Sequence, residues 1–269
     1  MKILKIRILI AVLILSFTNI QASEVKKSLN TIVEIGEEMT NMRHLLEMYA
    51  LIATDVSYEA PEKKLLKGIL EYEGTIDAIE KGYKDKEIID SIKASREAWK
   101  PVKKALLTAM KDHSAKRMMK EGLFIHANIR SVIKELAKMK RYLLDKDKHK
   151  LKDREEINAV LEIDASSQRL SAHYMMKMWG LDDPTIQEHW DRGIQIYTKS
   201  VKVLKASHYY KEPKFKKLLD LTEKNLKYFE IVMTFDDKFV PVIVQQKADD
   251  VCKAADKMAD IVVDEISKK

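Results

Sequence analysis

Arg169, His173 and Lys177 stand four residues apart in turn, a spacing that puts all three side chains on one face of a helix. Donors stacked in that way can converge on an anionic ligand, and the neighbouring Gln168 and Ser171 offer neutral hydrogen bonds. A basic stripe beside a helical core seam has the same spacing, so both readings stay open. In the first half of the chain, Arg43, His44 and Glu47 form a mixed-charge patch that is a second, weaker candidate. Seven histidines invite a search for a metal centre. Metal sites in helical bundles pair a carboxylate and a histidine at i and i+3, but no Glu-x-x-His occurs here, and the adjacent Glu188 and His189 point apart. No metal and no cofactor are therefore expected. Cys252 is the one cysteine, which rules out an intramolecular disulfide and a Cys-x-x-Cys-His haem attachment, and its position suits a small half-buried residue. Neither paired carboxylates nor a nucleophile with its base is found, so no enzyme is expected.

The elements that must position these residues are helices. Apolar residues recur at alternating steps of three and four over nearly the whole chain. Eight such seams can be followed. The first runs from Ile32 through Ile35, Met39, Met42, Leu46 and Tyr49 to Val56. The others span Leu65 to Tyr83, Ile88 to Ala109, Met118 to Leu143, Ile163 to Leu181, Ile186 to His208, Phe215 to Met233 and Val244 to Ile266. Asp183-Pro184 and Pro213 mark helix starts, since proline suits the first turn. Pro101 interrupts a good helical pattern and predicts a kink just after Trp99. Trp99, Trp179, Trp190, Tyr49, Tyr72 and Tyr197 fall on or near the seams as core filler. Met175, Met176 and Met178 beside Trp179 would also suit an adaptable apolar surface.

Between Asp145 and Asp153 the pattern stops in the charged run DKDKHKLKD. A module boundary and a continuous solvated helix look alike there. Short connections make neighbouring helices antiparallel, so the prediction is an all-α protein of two tandem antiparallel four-helix bundles, 23–145 and 154–269, arranged end to end or side by side. The stretch Ile35–Leu51 can be laid beside Ile163–Leu181 with Tyr49 opposite Trp179, a period of about 130 residues that suggests a duplicated domain.

Residues 1–22 read as a secretory signal peptide: Lys2, Lys5 and Arg7 precede an apolar run from Ile8 to Phe17, and Ala22 ends a plausible cleavage site. The run is short of the roughly 20 residues that span a bilayer. A periplasmic location is expected. Cleavage leaves 46 basic against 42 acidic residues, a formal charge of +4. Charges of both signs alternate along the helices, and no compact cationic block suggests a nucleic-acid partner.

EMYALIA (Glu47 to Ala53), the acidic Pro-containing turn after it, AWKPVKKALL (Ala98 to Leu107) and ASSQRLSAHYMMKMW (Ala165 to Trp179) together resemble the NarX/PilJ-like periplasmic sensor family, over residues 33–112 and 157–236. In the nitrate sensors of that family an arginine of the first-helix box binds the anion between two subunits, and Arg169 falls on the corresponding position. Met39, His44 and Tyr174 occupy other box positions, so the resemblance implies the fold and does not extend to nitrate recognition. The expectation is a non-enzymatic ligand-binding or sensory module for a small anion, without an output domain of its own. Its binding residues would be Arg169, His173, Gln168 and Lys177, and its partners a membrane-bound signalling protein or a second copy of the chain. The alternative is a structural or adaptor protein of the cell envelope that binds a protein and no small molecule.

Overall fold

A computed structural model describes residues 2–111, 113–146, 151–234 and 239–268, excluding the side chains of residues 2–25, 109 and 151. The predicted leader therefore lies outside the described side chains. Eight α-helices and no strand occur among the described residues: α1 (Lys2–Ala53), α2 (Pro61–Gly82), α3 (Lys86–Ala109), α4 (Ala115–Lys146), α5 (Leu151–Trp179), α6 (Thr185–Lys205), α7 (Pro213–Val232) and α8 (Pro241–Ile266). None of them is long and apolar enough to cross a membrane among the described residues.

The seams close the architecture as their spacing requires. Helix α1 packs on α2 and α4, and α3 completes that ring; α5 packs on α6 and α8, and α7 completes the second. Along the fourth seam every predicted position from Met118 to Leu143 is buried, and so is every one from Val244 to Ile266 on the eighth. Ala53, Val56, Tyr83, Met178 and Met233, at seam ends, are half-buried, as is Ile194 in mid-helix. His208 departs from its predicted place. Helix α6 ends at Lys205, and the 3-10 turn His208–Lys211 shifts the register, so Tyr209 enters the core and His208 faces solvent against Glu265 at 2.7 Å. Pro101 sits inside α3, which runs through it as one helix. Of the charged run, residues 147–150 lie outside the described ones, between the end of α4 and the start of α5.

The two rings lie side by side, because α1 packs lengthwise on α5 and one continuous core runs through both. The two central helices run parallel and at matched height: Gly36 faces Leu161, Thr40 bonds Asp164, and Ser171 bonds Glu47. Both end in the same way. Val56 N–H donates to the Leu51 carbonyl at 2.9 Å across Asp55 (φ 56°), and Leu181 N–H donates to the Met176 carbonyl at 3.0 Å across Gly180 (φ 81°). This left-handed cap satisfies carbonyls that a helix end otherwise strands, and glycine or aspartate can adopt it.

A constant offset of 125 residues relates the halves, from Asp55 to Gly180, 49 to 174, 68 to 193 and 72 to 197. Tyr49 donates to the Met118 carbonyl in the first turn of α4 at 2.8 Å; Tyr174 accepts from Val240 N–H at the start of α8 at 2.9 Å. Tyr72 bonds Ser95 on α3 at 2.7 Å, and Tyr197 donates to the Thr222 carbonyl on α7 at 2.9 Å. The structural counterpart of Tyr49 is thus Tyr174. Trp179 instead packs edge-on against Tyr49 itself, ring centroids 5.9 Å apart.

Tyr49→Phe removes a buried hydrogen bond to the Met118 carbonyl, and Tyr174→Phe leaves the half-buried Val240 N–H without its partner, neither with much change in packed volume. Each is expected to lower the unfolding free energy by about 1–2 kcal/mol, and the double variant by the sum. Urea unfolding followed by circular dichroism measures this; a neutral Tyr174→Phe would show that the equivalence does not hold energetically.

Candidate functional site

Among the described side chains, those of α1 and α5 bury almost the whole helix circumference, and their polar residues are therefore enclosed. Arg43, Glu47, Asp164, Gln168, Ser171 and His173 are all less than a tenth exposed. Enclosed polar groups need partners, and most of these have them. Thr40 donates to the Asp164 carboxylate at 2.7 Å, Arg43 donates to the Met39 carbonyl at 2.7 Å, and Ser171 donates to Glu47. His44 lies 3.2 Å from Glu47 and 3.4 Å from Gln168.

Charge is not balanced where α1, α4 and α5 meet. Burial pushes the Glu162 carboxyl up, but the charges of Lys140, Arg43 and Arg169 outweigh it and hold the group below the usual carboxylate range. Lys140 reaches Glu162 at 3.3 Å. Arg43 is pulled down to about 9, first by burial and then by the neighbouring Arg169 charge. Burial likewise pulls Arg169 down, with Arg192 adding to the effect against Glu162. Three cations thus bear on Glu162, with the buried Asp164 a second carboxyl near Arg43, and Nη1 of Arg169 is buried without a hydrogen-bond partner. A cleft of about 340 Å³ opens beside Lys140 and Glu162, lined also by Met39, Arg141, Arg154 and Asn158; Arg43 and Arg169 are not part of its lining. A cleft of about 800 Å³ lies elsewhere, between the Lys26–Glu34 stretch of α1 and the ends of α2 and α8, among Lys26, Lys27 and Lys268.

The four predicted ligand residues separate. Arg169 and His173 share a face of α5, and His173 Nδ1 donates to the Arg169 carbonyl at 2.6 Å. Gln168 turns the other way, where its amide donates to the Cys252 thiol on α8 at 3.3 Å. Lys177 is exposed, with its ammonium 3.5 Å from the Met233 carbonyl. Arg43, read from sequence only as part of a mixed patch, joins Arg169 instead.

A second cluster was not visible in the chain order. His126 of α4, His173 of α5 and His189 of α6 meet with ring centroids 5.4 to 6.0 Å apart. His126 Nδ1 donates to Asp183 at 2.7 Å, and Asp183 also caps α6 through Thr185 N–H at 2.8 Å. Although burial pushes the Asp183 carboxyl up, the bonds from Thr185 and His126 hold it down at about 2. Burial, above all, keeps His173 neutral, its pKa pushed down to about 3. The three residues come from three helices, so only their common proximity to an interface on the helical wheel could have hinted at a meeting.

No family model matches the chain, and no match is found among the curated proteins or the solved structures.

Asp164 carries a pH dependence. Burial pushes its carboxyl above the ordinary 3.8, and bonds from Cys252 and Thr40 with the Arg43 charge pull it only part of the way back. Above 3.8 the folded protein therefore holds a proton that the unfolded chain has lost, and this group's contribution to stability declines as pH rises through its folded pKa. Asp164→Asn keeps the shape and removes the ionisation. The variant is expected to lose less stability than the wild type as the pH rises from 3.8 through the folded pKa of Asp164; equal losses in urea unfolding would count against a raised pKa.

Proposed function

We propose that this chain is a non-enzymatic anion-binding sensory module of the NarX/PilJ-like type, acting in the periplasm, with the anion held beside the seam of α1 and α5. The observation that carries this reading is the surplus of enclosed positive charge: Arg43, Lys140 and Arg169 bear on Glu162, and one Arg169 nitrogen is buried without a partner. A buried guanidinium with an unused donor is costly, and a small oxyanion relieves that cost by accepting the planar fork and adding the missing negative charge.

The parallel placement of α1 and α5 supports the same reading. In the nitrate sensors of the family that the sequence resembles, an arginine of the first-helix box binds the anion between two subunits. Here the first helices of the two halves lie side by side within one chain, so the arrangement of two subunits is supplied by a single polypeptide. Arg169 and His44 are related by the 125-residue offset, and so are Gln168 and Arg43. The charged cluster is therefore asymmetric, with one guanidinium from each half at neighbouring positions of the repeat. A membrane-bound partner would read changes in the relative height of the two central helices.

The adaptor reading is favoured by a different observation. Leu70 of α2 is 69% exposed and Leu66 beside it 42% exposed, on a helix whose opposite face is buried. Capture of an envelope protein that persists in Arg169→Ala and is lost in Leu66→Ser/Leu70→Ser would favour it over the anion reading.

The anion reading is tested by thermal shift and calorimetry with nitrate, nitrite, sulfate and phosphate. One of them is expected to raise the melting temperature of the wild type selectively. Arg169→Ala and Arg43→Gln should each weaken that binding by about 10- to 150-fold, the loss of one charge-assisted hydrogen bond. If no anion stabilises the wild type above the effect of ionic strength, the proposal fails.

A further inference from the structure

We propose that His126 and His173, together with His189, form a binding site for one divalent transition-metal ion, held where α4, α5 and α6 meet.

Tautomers decide the argument. The Asp183 carboxylate can only accept, so the His126 nitrogen 2.7 Å from it, Nδ1, carries the proton. The Arg169 carbonyl can only accept as well, which puts the His173 proton on Nδ1, 2.6 Å away. In both neutral rings Nε2 is then a bare lone pair, and these two atoms face one another at 3.4 Å. Two acceptors cannot satisfy each other. Both rings are almost wholly buried, which denies them water as a partner.

A metal ion between the two nitrogens removes the conflict. Zinc–imidazole bonds of about 2.0–2.1 Å at a tetrahedral angle put two ligand nitrogens roughly 3.3–3.4 Å apart, so the spacing is already that of a coordinated pair. The outer partners also match. Metal-ligating histidines ordinarily donate their second nitrogen to a carboxylate or a backbone carbonyl, which fixes the ring and the tautomer, and here Asp183 and the Arg169 carbonyl do this. Imidazole ligands suit zinc, copper and nickel, and leave calcium and magnesium aside.

His189 supplies the third nitrogen. Its ring centroid is 5.4 Å from that of His173 and 6.0 Å from that of His126, and its Nε2 accepts from Arg130. Among the described residues no three such side chains already converge to hold a metal ion, so loading requires His189 to turn inward. His189 is half-buried, and Arg130 is exposed and can move into solvent. Arg130 and the nearby Arg169 charge oppose a dication, while Asp183 and Glu188 favour it. The coordination position left open would take water. This site does not depend on the anion reading, since the three imidazoles need no oxyanion and the guanidinium cluster needs no metal.

The test uses the purified chain after removal of metals with a chelator, titrated with ZnCl2 by calorimetry and with CoCl2 by visible absorption. One Zn2+ per chain is expected, and Co2+ should give the d–d bands of a nitrogen-ligated site. His126→Gln and His173→Gln should each abolish the saturable binding. Asp183→Asn should weaken it about 10- to 100-fold, as outer-partner losses do. His189→Gln changes a half-exposed side chain, so the variant tests the site even if the buried changes unfold the protein, and it should weaken binding at least as much as Asp183→Asn. His208→Gln, at the opposite end of α6, should leave binding unchanged. Absence of saturable Zn2+ binding, unaltered affinity in His189→Gln, or loss of binding in His208→Gln would overturn the proposal.

Discussion

The parallel contact between α1 and α5 is the constraint on which the rest of the structure depends. Each of these helices is walled in by others on nearly every side, so each must bury polar side chains that an outer helix would leave in water. Burial of a charge without a partner costs several kcal/mol, and this makes the pairing of the two helices specific in register as well as in face. Thr40 with Asp164 and Ser171 with Glu47 are bonds that a slip of one residue would break. Apolar contact alone, such as Gly36 against Leu161, tolerates sliding much better.

With that register set, the outer helices follow almost symmetrically. Leu45 and Leu170 sit one repeat apart and press on Gly68 of α2 and Gly193 of α6, where the missing side chain lets each outer helix approach. The tyrosines at 49 and 174 tie the ends of the central helices to the starts of α4 and α8, and those at 72 and 197 tie the second helix of each ring to the third. Chemistry collects where this repetition breaks. At equivalent positions the halves carry His44 and Arg169, Arg43 and Gln168, and Met39 and Asp164. A symmetric seam would have placed equal groups face to face. The asymmetric one gathers cations on one flank, at Glu162, and a carboxylate–histidine group on the other, around Glu47 and His44.

Most of the fold is legible in the amino-acid sequence. Steps of three and four located all eight helices, because a residue that packs lengthwise must return to the same face each turn. The proline and aspartate signals at 183, 184 and 213 marked the starts of α6 and α7. The site was legible only in part. Arg169 and His173 were found together because they belong to one helix, where spacing specifies geometry. Gln168 and Lys177 were grouped with them by proximity along the chain, yet a helix turns about 100° per residue, and Gln168 consequently faces α8 while Lys177 reaches solvent. His208 failed for a related reason, since a helical period cannot be carried past the point where the helix ends.

By itself the sequence determined the class of structure, the helices, their inward faces and the repetition of one half in the other, all of which follow from local periodicity. It did not determine how the halves meet. Whether two rings stack or lie side by side depends on which polar residues can be mutually satisfied across an interface, and no one-dimensional pattern records that. Tertiary structure alone decided that Arg43 would stand with Arg169, and that histidines from α4, α5 and α6 would share one site. Such meetings join residues up to 126 positions apart, and they exist only once the packing of the central pair has brought their helices together.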